Sequence, residues 1–151
     1  MKHAFAPLAV AFGLSLALGG CAEVKSTLKS LRPGASARAP APGANTADAL
    51  DTTTEAERAA ALDAGPTSGE RELGTTVASL GSPTEPGFWM KTPLVSAPAR
   101  GRVVTVTGES VAVDLIPSGG PAGGGSQLSL AAFRALGLSL TGLPQVTVFS
   151  G

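Results

Sequence analysis

Among the side chains that most often do chemistry, this 151-residue sequence holds one cysteine, Cys21, and one histidine, His3. A lone thiol cannot form an internal disulfide, a CxxC redox pair or a cysteine-based zinc site unless a second chain adds ligands. Two carboxylates, Glu109 and Asp114, fall in the segment with the best hairpin pattern. A glycosidase pair must flank one scissile bond, but five residues apart on an extended strand they point to opposite faces and read as solvated. Residues 119–126 are glycine-rich and precede a helical pattern, so backbone amides there can meet an anion. A phosphate-binding loop needs Lys before its Ser or Thr, and Gly125 stands there instead, so the stretch reads as a mobile loop. Lys91, Arg100, Arg102 and Arg134 make the C-terminal part mildly basic, either a grip for anionic glycan or peptide carboxylates or a solvated charged face. Trp89 is either an exposed recognition aromatic or a packing residue. No residue is assigned to catalysis, to a metal or to a cofactor. The 11 basic and 11 acidic side chains balance, which leaves no electrostatic footprint for nucleic acid or a polybasic membrane contact.

The elements that must position these residues begin with an address. Met1-Lys2-His3 is a short positive start, residues 4–18 are uncharged and rich in Ala, Leu, Phe and Val, and Leu18-Gly19-Gly20-Cys21 follows. This is the pattern of an export signal ending in small residues. Its end resembles the lipobox of bacterial lipoproteins, in which the cysteine is acylated and becomes the mature N-terminus. The resemblance implies removal of residues 1–20, loss of His3 and lipidation, with palmitate among the acyl chains, at Cys21. Several acyl chains exceed what stable anchoring requires. Ala22, rather than Asp, implies the outer membrane, facing the periplasm. The alternative is an uncleaved anchor, but the apolar run is broken by Pro7 and Gly13 and falls short of the ~20 residues that span hydrocarbon.

Residues 21–50 are dominated by Ala, Pro, Gly, Ser and Thr without a sustained period, a composition that reads as a disordered, lipidated tether. Residues 51–68 hold one short helix and a linker. Thr52-Thr53-Thr54-Glu55 predicts a capping box, the alanines after it favour helix, and Gly65-Pro66 stops it. Its apolar face is thin, which predicts light packing. Residues 69–151 pattern as a small domain, mainly β. Strands are expected over 73–80 and 88–95, and a hairpin joins 102–107 to a second strand on which Val111, Val113 and Leu115 alternate with Ala112, Asp114 and Ile116. Val104 and Val106 alternate with Thr105 and Thr107 on the first. A helix capped by Ser126 or Ser129 carries Leu130, Phe133 and Leu136 and closes at Gly137; a last strand runs over 145–149. The fold class is therefore a small barrel or open barrel with one short helix.

Two resemblances bear on that domain. The hairpin, the loop and the stretch Ser126-Gln127-Leu128-Ser129-Leu130-Ala131-Ala132-Phe133 resemble the second half of the double-psi β-barrel of septal lipoproteins that act as lytic transglycosylases. Where that family carries Asn-Asp-Arg-Gly-Pro, this chain has Asp114-Leu115-Ile116-Pro117-Ser118-Gly119-Gly120-Pro121; the proton-transferring aspartate is missing, and Asp114 lies earlier, on the strand itself. The segments Gly87-Phe88-Trp89-Met90-Lys91-Thr92-Pro93-Leu94 and Leu143-Pro144-Gln145-Val146-Thr147-Val148, with others upstream, are similar to short alphaproteobacterial envelope proteins often labelled D-galactarate dehydratase. Dehydrating a sugar acid needs a base for the α-proton and an acid or metal for the leaving hydroxyl. The mature chain has no histidine or free thiol for either task. The expected function is a lipid-anchored, non-catalytic structural or binding module that contacts peptidoglycan or an envelope protein. The alternative is an enzyme, either a sugar-acid dehydratase or a degenerate glycan-cleaving barrel.

Overall fold

Alternation in one strand organises the molecule. In the computed structural model, which describes residues 38–151, β4 (Ser110–Pro117) turns Val111, Val113 and Leu115 inward and leaves Ala112, Asp114 and Ile116 partly exposed. The export signal, Cys21 and the tether up to residue 37 lie outside the described residues. Antiparallel to β4 runs β3 (Ala99–Thr105), with Val103 opposite Val111 and Gly101 opposite Val113. The hairpin is the one the sequence predicts, but its first strand ends early. Gly108, at φ +96, lets its N–H reach Thr105 O, and Thr105 N–H bonds Glu109 O, so the turn begins at Val106. Val103 and Thr105 therefore face inward, and Val106 is exposed at the tip instead of alternating with Val104 as expected.

Six strands close the barrel. Around it run β1 (Arg71–Leu80), β5 (Ser126–Leu128), β2 (Trp89–Thr92), β4, β3 and β6 (Gln145–Ser150), which returns to β1. The β1–β5 and β2–β4 pairs are parallel and the other neighbours antiparallel. The strand expected over 88–95 stops at Thr92, because Pro93 has no N–H to offer and Leu94 N–H turns back onto Thr92 Oγ1 at 3.3 Å. The three-residue β5 has no counterpart in the sequence reading, which runs the glycine-rich loop straight into a helix. That helix, α3 (Leu130–Ala135), starts after Ser129, whose hydroxyl accepts N–H bonds from Ala132 and from Trp89, both at 3.3 Å. Gly137 at φ +63 ends it. Phe133 from α3 and Leu136 at its C-cap join Met90, Val103, Val111, Leu115, Leu128, Val146 and Val148 in one core. Each large member contributes on the order of 2 kcal/mol through burial.

Ahead of the barrel, α1 (Ala47–Leu50) and α2 (Glu55–Asp63) form a strap packed on β4 and α3. The structure departs here from the sequence reading in two ways. Residues 47–50, read from composition as tether, form a helical turn capped by Thr46. The capping box is made by Thr54 with Glu57, two residues later than expected. The strap is held mainly by ions. Asp51, with no exposed side-chain surface, accepts bonds from Arg58 at 2.9 Å, from Arg134 at 3.1 Å and from Thr53 N–H at 3.2 Å. Arg134 also bonds Ala47 O and Asp48. Ala61 is the one residue of α2 buried in the core.

Candidate functional site

Each carboxylate and cation singled out in the sequence is engaged, and they do not converge. Glu109 sits in the β3–β4 turn, where Thr105 and Thr107 hydroxyls donate to its carboxylate and its own N–H bonds Thr105 Oγ1. The hydroxyl of Thr107 first, and that of Thr105 next, hold its carboxyl below the usual carboxylate range. Asp114 lies on β4 opposite Arg100 of β3, with the charged groups 3.6 Å apart. Lys91 bonds Glu85 at 2.6 Å and stands 4.5 Å from the Trp89 ring centre. Arg102 grips Glu70 through two bonds of 3.0 and 2.6 Å and lies over Phe149. That bidentate pairing raises Arg102 further above the ordinary arginine value. Arg134 holds the strap. The four cations thus engage different acidic partners at separate places, Lys91, Arg100 and Arg102 in pairs and Arg134 in the Asp48–Asp51 cluster, and do not form one anion grip.

Trp89 is a packing residue. It is 4% exposed, its indole N–H donates to Glu85 O at 3.2 Å, and a Cβ on Gly81 would collide with its ring. Trp89 and Met90, on opposite faces of this short strand, are both buried. Three buried hydroxyls line up inside the barrel wall, unnoticed in the sequence because they come from three distant segments. Ser126 Oγ donates to Thr92 Oγ1 at 2.9 Å and lies 3.0 Å from Thr76 Oγ1. They satisfy one another, as buried polar groups must.

Two clefts flank these groups. One, of about 220 Å³, lies between the strap's end and β3, lined by Ala64, Thr67, Arg100, Gly101 and the Glu70–Arg102 pair. The other, also about 220 Å³, lies between the glycine-rich loop and β1, lined by Thr75, Thr76, Val77, Gly123, Gly124, Gly125 and Gln145. The second holds no charged side chain and exposes backbone, so it suits hydrogen-bonding neutral ligands. No lysine lines it. Among the described residues, no three His, Cys, Asp or Glu side chains come together as a metal-ligand set, and no helix is long and apolar enough to cross a membrane. No family model, curated protein or solved structure matches this chain.

Proposed function

We propose that this chain is a lipid-anchored cell-envelope protein, held through acylated Cys21 at the outer membrane and facing the periplasm. Its six-stranded barrel serves as a non-catalytic structural or binding module that contacts peptidoglycan or another envelope protein. The observation that carries the anchor is positional: the only cysteine falls directly after Leu18-Gly19-Gly20, where a lipobox requires it. Support for a non-catalytic barrel comes from its carboxylates. Asp114 is paired with Arg100, Glu70 with Arg102, and Glu109 with two threonines, and none of them faces a second carboxylate across a cleft. General acid–base work needs a group held away from such partners at a useful pKa.

Labelled palmitate entering the wild-type protein but not Cys21→Ser, with the variant lost from the membrane fraction, is the expected result. A variant that stays processed and membrane-bound removes the anchor. Purified protein is expected to turn over neither galactarate nor peptidoglycan; turnover abolished by Asp114→Asn or Glu109→Gln removes the non-catalytic reading.

A further inference from the structure

Of the four large hydrophobic side chains exposed among the described residues, three lie together on one face of the barrel: Val77 at 45%, Val106 at 81% and Leu143 at 69%. The register brings them there. Thr76, Val146 and Thr105 form one inward row across β1, β6 and β3. One step on, Val77 and its partner Gln145 point outward, and Val106 follows just past the end of β3 on the other flank of β6. Ala78 N–H bonds Pro144 O at 2.9 Å, which carries the pairing beyond the start of β6 and sets Leu143 diagonally from Val77. Neighbouring strands lie about 5 Å apart, so the three groups surround Gln145 within roughly 10 Å. The next outward row, Thr75, Thr147 and Val104, is also uncharged. Charge returns only at the borders, with Glu72 and Arg102 beside Phe149 in the row after, and Glu109 in the hairpin turn. Single exposed aliphatic residues are ordinary, but a group of them on an uncharged face marks a contact surface.

The rest of the molecule decides what that surface meets. The ion pairs lie on other sides: Asp51 with Arg58 and Arg134 in the strap on β4, which stands across the ring from β1, and Arg100 with Asp114 on β3 and β4. The start of the strap is fastened to Arg134 of α3, through Ala47 O at 3.2 Å. That helix follows β5 at the end of the barrel where the parallel β1 also finishes, the end at which Val106 and Leu143 project. The chain therefore reaches the barrel at the end that carries the uncharged face, and from Cys21 to Arg38 it spans at most about 60 Å. We infer that this face, with Val77, Val106 and Leu143 around Gln145, rests on the surface of the lipid bilayer that holds the anchor. The inference rests on the lipid-anchor reading above. A short link makes the contact intramolecular, so three aliphatic groups suffice where they would not hold a free protein. They enter the boundary between headgroups and acyl chains, Gln145, Thr75 and Thr147 meet the headgroups, and no ion has to be desolvated. The strap and its ion cluster are then turned away from the membrane.

The test places the full acylated protein in phosphatidylcholine vesicles that contain doxyl-labelled lipid. Acylation occupies the native cysteine, so Thr141→Cys, exposed near Leu143, carries a single fluorophore on the proposed face, and Glu55→Cys carries it on the strap. The doxyl groups are expected to quench the label at position 141 and not the one at 55, equally at low and high salt and with or without phosphatidylglycerol. Leu143→Glu and Val106→Glu should each lower the ratio of docked to undocked protein about tenfold, and Leu143→Met should leave it unchanged. These positions are exposed, so the urea midpoint is expected to stay within that of the parent protein. Equal quenching of both labels, no quenching, or indifference to both glutamate variants overturns the proposal. So does quenching that needs anionic lipid and vanishes in salt, which assigns the contact to basic side chains. Hydrogen-exchange protection of residues 75–77 and 104–106 that grows with protein density in the vesicles assigns the face to a second copy and overturns it as well. Palmitate incorporation is read on the same samples: without it anchor and docking both fall, and with it but without quenching at position 141 docking alone falls.

Discussion

The barrel and the strap in front of it are built on different physics. Inside the barrel, Phe133, Met90, Leu115 and Leu128 have essentially no exposed surface and pack around valines from β3, β4 and β6. The strap contributes Ala61 to that core and otherwise relies on Asp51 with its two guanidiniums. Apolar packing is additive over many contacts, while an ion cluster concentrates its contribution in one carboxylate. The barrel should therefore fail as a unit, and the strap should let go locally while the barrel stays folded.

The largest expected effect breaks the barrel side of this contrast. Phe133→Ala removes a fully buried ring and should destabilise the protein by about 3–5 kcal/mol in urea unfolding, with strap and barrel lost together. Removing the strap's hub sharpens the contrast. Asp51→Ala should cost about 2 kcal/mol, less than a fully buried pair because Arg58 and Arg134 are each about a third exposed. Hydrogen exchange should show residues 47–63 deprotected and β3, β4 and β6 unchanged; loss of protection throughout would make strap and barrel one unit. Thr54→Ala removes the cap that opens α2 and should cost about 1 kcal/mol, read as faster exchange in the first turn of α2 alone.

The smallest effect concerns the hairpin turn. Because folding lowers the Glu109 pKa, its contribution to stability is present above the unfolded carboxylate value and is lost as pH falls through the lower folded value. Unfolding followed from neutral pH into the acid range should show this loss in the wild type and not in Glu109→Gln. Equal pH dependence in both proteins would leave the threonine bonds without energetic weight.

How much of this was legible in the sequence depends on how local its cause is. The alternation of β4, the Ser129 cap and the Gly137 stop are written within a few residues, and the mainly β barrel class follows from such signals. The inward side of β3 was not legible, because two valines and two threonines alternate equally well in either phase, and only the Gly108 turn decides between them. Strand β5 could not be seen: three residues carry no period, and its pairing with β1 spans 48 positions, from Ala78 to Ser126. Asp51 stood in a Thr-rich stretch with no hint of Arg134, far along the chain. For the candidate site, the sequence marks the glycine loop but not the cleft beneath it, because the opposite wall, Thr75 to Val77, lies far back along the chain.

The placement of β6 has a consequence in time. It lies between β1 and β3 and is the last of the six barrel strands in chain order, so the earliest and the latest of the six are hydrogen-bonded neighbours. Until β6 emerges from the ribosome, β1 and β3 each lack a partner along one side and the ring cannot shut. The pairs β1–β5, β5–β2, β2–β4 and β4–β3 can form earlier, but the free sides of β1 and β3 depend on protection until β6 is made.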